Sequence, residues 1–148
     1  MKTFSPKPQS VVREWHIIDA SEYPLGRVST KTASLLLGKH KPAQSPHVDG
    51  GDHVVIINSD NVRVTGNKEQ DKLYRRHSGY PGGLREKSLK DIASQDSTRI
   101  IYKAVRGMLP DNKLRKGRLA RLKIYAGSEH PHGGQLSGTK DINKESDN

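Results

Sequence analysis

Residues 15–38 read WHIIDASEYPLGRVSTKTASLLLG, and this stretch decides the fold. Trp15-His16-Ile17-Ile18-Asp19 has the length and apolar content of a short buried strand. Ser21–Pro24 supplies turn residues. From Leu25 to Leu37 the residues Leu25, Val28, Thr32, Leu35 and Leu36 fall on one helical stripe, with Arg27 and Lys31 on the opposite side. Gly38 is placed to cap that helix. Strand, turn and helix in this order open a βα unit.

Working outward, His53-Val54-Val55-Ile56-Ile57-Asn58 is a continuous apolar run, the pattern of a strand covered on both faces. Val62-Arg63-Val64 reads as a shorter strand, and Leu122-Lys123-Ile124-Tyr125-Ala126 alternates like a last one. Helical segments separate several of these four strands. The expectation is an α/β domain with a mostly parallel, covered sheet. Residues 1–14, with Pro6 and Pro8 and no periodicity, read as an extended N-terminal arm laid on the domain or on a partner. Residues 15–135 form the single domain, and 136–148 a polar tail expected to be disordered.

Only 31% of the 148 residues are hydrophobic, and the net charge is +10. The excess is uneven. Residues 61–126 hold 17 Lys+Arg against 6 Asp+Glu, whereas residues 1–60 hold 7 against 6 and residues 127–148 hold 2 against 4. A near-neutral scaffold carrying one basic segment is the footprint of a polyanion binder. A basic membrane-surface protein needs an amphipathic segment rich in exposed large apolar residues, and none occurs here. With no cysteine, disulfides and thiol catalysis are excluded, and a reducing compartment fits. The N-terminus lacks the apolar run of a signal peptide, and no later segment reads as a membrane span. The expectation is a cytoplasmic protein with no membrane partner.

Within the basic segment, Lys72–Leu84 reads KLYRRHSGYPGGL. Lys72–His77 and Leu84–Lys87 pair as two arms of a basic loop around a Gly-Tyr-Pro-Gly-Gly tip. Lys72, Arg75, Arg76 and Arg85 can face phosphates, and Tyr74, His77 and Tyr80 can stack on unpaired bases. Asn67–Asp71 reads as a single helical turn, and Ser88-Leu89-Lys90-Asp91 has capping-box spacing. Ser97 is placed to cap the next helix, with Ile100, Ile101, Ala104, Val105 and Met108 inward and Arg99, Lys103 and Arg106 on its polar face. Asn112 is placed to cap a third helix, Lys113–Arg121, whose cations surround most of its circumference.

Metal and catalytic chemistries fit this sequence poorly. His130-Pro131-His132 resembles a metal clip, but no carboxylate lies at ligand spacing, thiolates are absent, and the proline denies the pair one helical face. Ser78 beside His77 has no recognisable orienting acid, and Pro24-Leu25-Gly26 lacks a phosphate-loop pattern. No enzyme, cofactor or metal is therefore expected. Residues 98–121 mimic a helix-turn-helix in length, which supports the alternative of a free-standing nucleic-acid regulator. Against it, cations all round the second helix suit phosphates on several sides, as inside folded RNA.

Nine motifs occur in register: W-H-I-I-D-A at 15–20, L-G-R at 25–27, G-K-H-K-P at 38–42, H-V-D-x-G-D at 47–52, G-N-K at 66–68, Y-R-R-H-S-G-Y-P-G-G-L at 74–84, A-V-R-G-M-L-P at 104–110, L-K-I-Y-A-G at 122–127 and H-P-H at 130–132. Together they resemble the bacterial form of the thirteenth large-subunit ribosomal protein family, over roughly residues 3–135. The resemblance implies a three-layer α/β/α domain with a four-stranded parallel core and no enzymatic activity. It implies a structural constituent of the large ribosomal subunit that binds large-subunit (23S) ribosomal RNA early in assembly. Its partners would be that RNA and neighbouring large-subunit proteins, with repression of their own messenger RNA by some members. The expected RNA-facing residues are Lys39, Lys41, Lys72, Arg75, Arg76, His77, Tyr80, Arg85, Arg99, Lys103, Arg106, Lys113, Arg115, Lys116, Arg118 and Arg121.

Overall fold

A computed structural model describes residues 5–136. The expected strand–turn–helix is present as β1 (Trp15–Asp19) and α1 (Leu25–Leu37), and Gly38 caps α1 in the left-handed conformation at φ 74°. β2 (His53–Ile57) lies parallel to β1, with Ile18 opposite Ile56. On its other side β2 pairs in parallel with β5 (Leu122–Ile124), Val54 opposite Leu122. The order β1-β2-β5 leaves β2 in the centre, and Val54, Val55 and Ile56 are accordingly inaccessible to solvent.

The sheet has three strands among the described residues, one fewer than expected. Val62–Val64 contributes a single parallel bridge, Arg63 to Pro24, with the Leu25 N–H donating to the Arg63 carbonyl at 2.9 Å. The segment beside it explains this: Pro24 has no N–H to extend a ladder, and the next residue already begins α1. The last strand also stops at Ile124, two residues short of the expected end.

Between β2 and β5 the chain forms α2 (Lys68–Asp71), β3 (Leu73–His77), β4 (Leu84–Ser88), α3 (Leu89–Gln95), α4 (Ser97–Met108) and α5 (Arg115–Ala120). α1 and α4 pack on each other and on one face of the sheet, where Val28, Leu36, Ile101, Val105 and Leu109 meet Ile18, Val54 and Ile56. A second small cluster, Leu89, Ile92 and Ile100, joins α3 to α4. Beyond β5, α6 (Gly133–Leu136) lies beside β1. The Trp15 ring there stacks on His53 at 4.3 Å and tilts toward His132 at 5.1 Å.

Of the N-terminal arm, residues 5–14 are described. They include a 3-10 turn at Pro8–Ser10, and Val12 and Glu14 bond to the domain. Of the polar tail only Leu136 is described, so the expectation for 137–148 lies outside the described residues.

Candidate nucleic-acid interface

The hairpin forms as expected: β3 and β4 are antiparallel, with Tyr74 opposite Lys87, Arg75 opposite Glu86, Arg76 opposite Arg85 and His77 opposite Leu84. Its tip follows the type II pattern, with Pro81 second and Gly82 third at φ 71°, closed by the Gly83 N–H donating to the Tyr80 carbonyl at 2.9 Å. A Cβ on Gly83 would meet the Tyr80 backbone carbonyl at 2.9 Å as well as the Ser78 hydroxyl at 2.1 Å, so this packed end favours glycine. Tyr80 projects from it, 75% exposed. The His77 ring is exposed too, while its Nδ1 accepts a bond from the Gly79 N–H at 2.9 Å.

Tyr74 corrects the stacking expectation. It sits on the base side of the hairpin, half-buried against Leu89, Ile92 and Ile100, and burial pushes its hydroxyl up. The ammonium groups of Lys103 and Lys72 lie 4.5 Å and 5.7 Å from its ring centre. Tyr74 thus joins the hairpin to the basic face of α4.

α4 is capped one residue earlier than expected. The Asp96 carboxylate accepts from the Thr98 N–H at 3.1 Å, while Ser97 is buried and its hydroxyl contacts Ser59 and Asp60. Ile100, Ile101 and Val105 point inward as expected; Met108 is 43% exposed, and Leu109 fills the core instead. Arg99, Lys103 and Arg106 are exposed, with Asp96 3.7 Å from the Arg99 Nε.

α5 departs most from expectation. It is six residues long, beginning after a turn in which the Asn112 Oδ1 accepts from the Leu114 N–H at 3.2 Å. Arg118 and Arg121 do not face outward: both are buried, and both meet Asp49. Arg121 forks onto the two Asp49 oxygens at 2.7 Å each, and the Arg118 Nε lies 3.6 Å away. Burial alone would raise the Asp49 carboxyl; the Arg121 bonds and charge, the Gly51 N–H and the Arg118 charge hold it below its ordinary value. The physical reason is shortage of apolar surface. With Leu114 and Leu119 as its large apolar side chains, α5 is fastened by guanidinium groups instead. Arg115 is half-buried, its Nε donating to the Pro110 carbonyl at 3.1 Å and its Nη1 lying 3.1 Å from Asp111. Lys113 and Lys116 remain exposed. Between α4 and α5 lies a concavity of about 500 Å³ whose lining includes Tyr102, Arg106, Asn112, Arg115 and Lys116.

Of the two lysines after α1, Lys39 is exposed, but Lys41 turns inward. Its ammonium donates to the Asp52 Oδ1 and to the Val12 carbonyl, the latter at 2.8 Å. Asp52 is wholly buried. Its Oδ1 also accepts from the Glu14 N–H at 3.0 Å, and its Oδ2 lies 3.0 Å from the His16 Nε2 and 2.7 Å from the His40 Nε2. Burial would raise this carboxyl, yet the bonds from His16, Lys41 and Glu14 outweigh it and hold Asp52 well below the carboxylate range. His16, His40 and Asp52 offer ligand-type atoms within 4.8 Å of one another. Both carboxylate oxygens are already committed to donors, one of them an ammonium, so the group acts as an electrostatic lock tying the chain before β1 to the start of β2. The two histidines of the His130-Pro131-His132 motif are likewise engaged: the His132 Nε2 lies 2.8 Å from the Tyr125 hydroxyl, and the His132 N–H donates to the His130 Nδ1.

The exposed cations therefore trace a belt. It runs from Arg76 and Arg85 on the hairpin, past Lys72 and Lys103 on Tyr74, to Arg106 and Lys116 at the α4–α5 concavity. The sequence model of the family described as ribosomal protein L13 matches residues 13–131. The chain belongs to the ribosomal protein L13 family. Relatives named large ribosomal subunit protein uL13 agree. That of Salinispora arenicola is 54% identical over 135 residues, covering 91% of this chain and 92% of its own. That of Chromohalobacter salexigens is 53% identical over 135 residues, covering 91% and 95%. That of Beutenbergia cavernae is 50% identical over 142 residues, covering 96% and 97%.

For this L13 family member, four expected residues stand apart from the belt: Arg118 and Arg121 are buried, Lys41 is half-buried on Asp52, and Arg75 is paired with Glu86 on the other face of the hairpin. The α4–α5 concavity is also lined by two residues absent from the expected set, Tyr102 and Asn112. Tyr102 falls between Arg99 and Arg106 at helical spacing on the exposed side of α4, a signal available in the sequence. Asn112 carried only a capping signal. Among the described residues no helix is long and apolar enough to cross a membrane.

Proposed function

We propose that this chain is a structural, non-enzymatic constituent of the large ribosomal subunit and binds large-subunit ribosomal RNA through the belt. One observation carries the reading. Arg76, Arg85, Lys103, Arg106, Lys113 and Lys116 are exposed and form no ion pair with a carboxylate among the described residues, whereas the buried Arg118 and Arg121 both meet Asp49. Unmatched cations raise the free protein's self-repulsion and are relieved by a polyanion. The names of its relatives supply the same setting: each is a large ribosomal subunit protein. Neighbouring subunit proteins are further partners. Binding to its own messenger RNA and action early in assembly rest on the family resemblance.

The helix-turn-helix alternative loses its recognition helix. α5 is too short, and its C-terminal arginines fasten the fold instead of reading bases. Copurification tests the proposal: the tagged chain should recover with large subunits in one-to-one amount. Recovery with other nucleic acid and without large subunits would overturn it.

A further inference from the structure

The two faces of the hairpin treat charge differently. On one face Arg75 lies opposite Glu86 and pairs with it at 2.5 Å. On the other face Arg76 lies opposite Arg85, and neither has a carboxylate partner among the described residues. Like charges directly opposite on a two-stranded ribbon destabilise it, and a single glutamate at either position would remove the cost. The two arginines border a concavity of about 320 Å³ completed by Ser78, Gly82 and Gly83. Its floor is stiff: the Ser78 N–H donates to the Gly83 carbonyl at 3.2 Å, and the Gly83 N–H is bonded within the turn. The Ser78 side chain adds a hydroxyl donor beside the two guanidinium groups. Tyr80 stands exposed on the same tip.

We infer that Arg76 and Arg85 clamp one phosphodiester of an unpaired RNA segment, with Ser78 as an auxiliary donor and Tyr80 as the stacking surface for an adjacent base. This deepens the ribosomal reading and rests on it for the identity of the RNA. Two planar forks converging on one site match a phosphate with two free oxygens. An exposed ring next to a phosphate site suits a splayed-out base and not the closed stack of an A-form duplex. The matched Arg75–Glu86 face has no such role.

The experiment uses the full chain and two double variants, Arg76→Gln with Arg85→Gln and, as the control, Arg75→Gln with Glu86→Gln. Binding to 23S ribosomal RNA is followed across a salt series. Loss of one phosphate contact to an unpaired segment flattens the log–log salt slope by about 0.7. Affinity falls roughly tenfold. The control keeps the wild-type slope, and melting of the Arg76/Arg85 variant is unchanged or raised. A second arm titrates a ten-nucleotide oligouridylate while following arginine side-chain resonances. Arg76 and Arg85 should shift together and Arg75 should not. Equal slopes in wild type and the Arg76/Arg85 variant would overturn the clamp, as would an oligonucleotide that shifts neither arginine. If wild type binds the oligonucleotide at these arginines but fails on 23S RNA, the ribosomal reading falls and the clamp stands.

Discussion

At the scale of single residues, this protein sorts its arginines into two jobs by what lies opposite them. Arg121 has both Asp49 oxygens within 2.7 Å and is buried, so removing either partner strands a charge away from water. Asp49→Asn or Arg121→Gln should cost about 3 kcal/mol in urea denaturation. Lys116→Gln, on the exposed side of the same helix, should stay within about 0.5 kcal/mol. Acid sensitivity follows from the same group. Burial opposes ionisation of Asp49, but Arg121, the Gly51 N–H and Arg118 more than compensate, so its folded carboxyl lies below the unfolded value. The unfolded chain therefore takes up the proton first as pH falls. The stabilisation is complete above an unfolded pKa of about 3.9 and is lost as pH drops through the lower folded value. Melting followed from pH 6 to pH 2 should fall less steeply for Asp49→Asn than for wild type. The sequence did not disclose this pairing. Asp49 and Arg121 are far apart along the chain, and cations at 115, 116, 118 and 121 look alike until the fold turns two of them inward.

At the scale of elements, the legible parts were those with a local chemical cause. The βα opening, the Gly38 cap, the Ser88 capping box and the hairpin with its Pro-Gly tip each follow from residues close in sequence, and each is present. The fourth strand failed because its strand-like residues met a proline on the segment they bridge to, a fact of tertiary placement. α5 was misjudged because charge density was taken as exposure. The two hairpin tyrosines show the same limit: one motif holds both, yet Tyr74 supports the fold and Tyr80 projects from it. Tyr80→Ala should weaken RNA binding by about 1–3 kcal/mol and leave melting unchanged. Tyr74→Ala, which removes a half-buried ring from the Leu89, Ile92 and Ile100 cluster, should lower stability by roughly 2 kcal/mol. A stability loss in the first and not in the second would reverse these roles.

At the scale of the whole molecule, a net charge of +10 is held by two internal carboxylate hubs and an unneutralised outer belt. Asp49 gathers Arg118 and Arg121, and Asp52 gathers Lys41, His16 and His40. The charge asymmetry of residues 61–126 was plain in the sequence; which cations remain outside was not, because that depends on acids contributed by the loop before β2. Binding through the belt should be strongly salt-dependent, with a log–log slope on the order of −5 if about six contacts form. The most direct measurement is competition during reconstitution of large subunits between wild type and the Lys103→Gln, Arg106→Gln, Lys116→Gln triple variant. All three residues are exposed, so the variant should melt close to wild type, losing at most about 1 kcal/mol from the Lys103–Tyr74 contact. The account predicts that wild type is taken up in strong preference. Equal incorporation of the two proteins would contradict it.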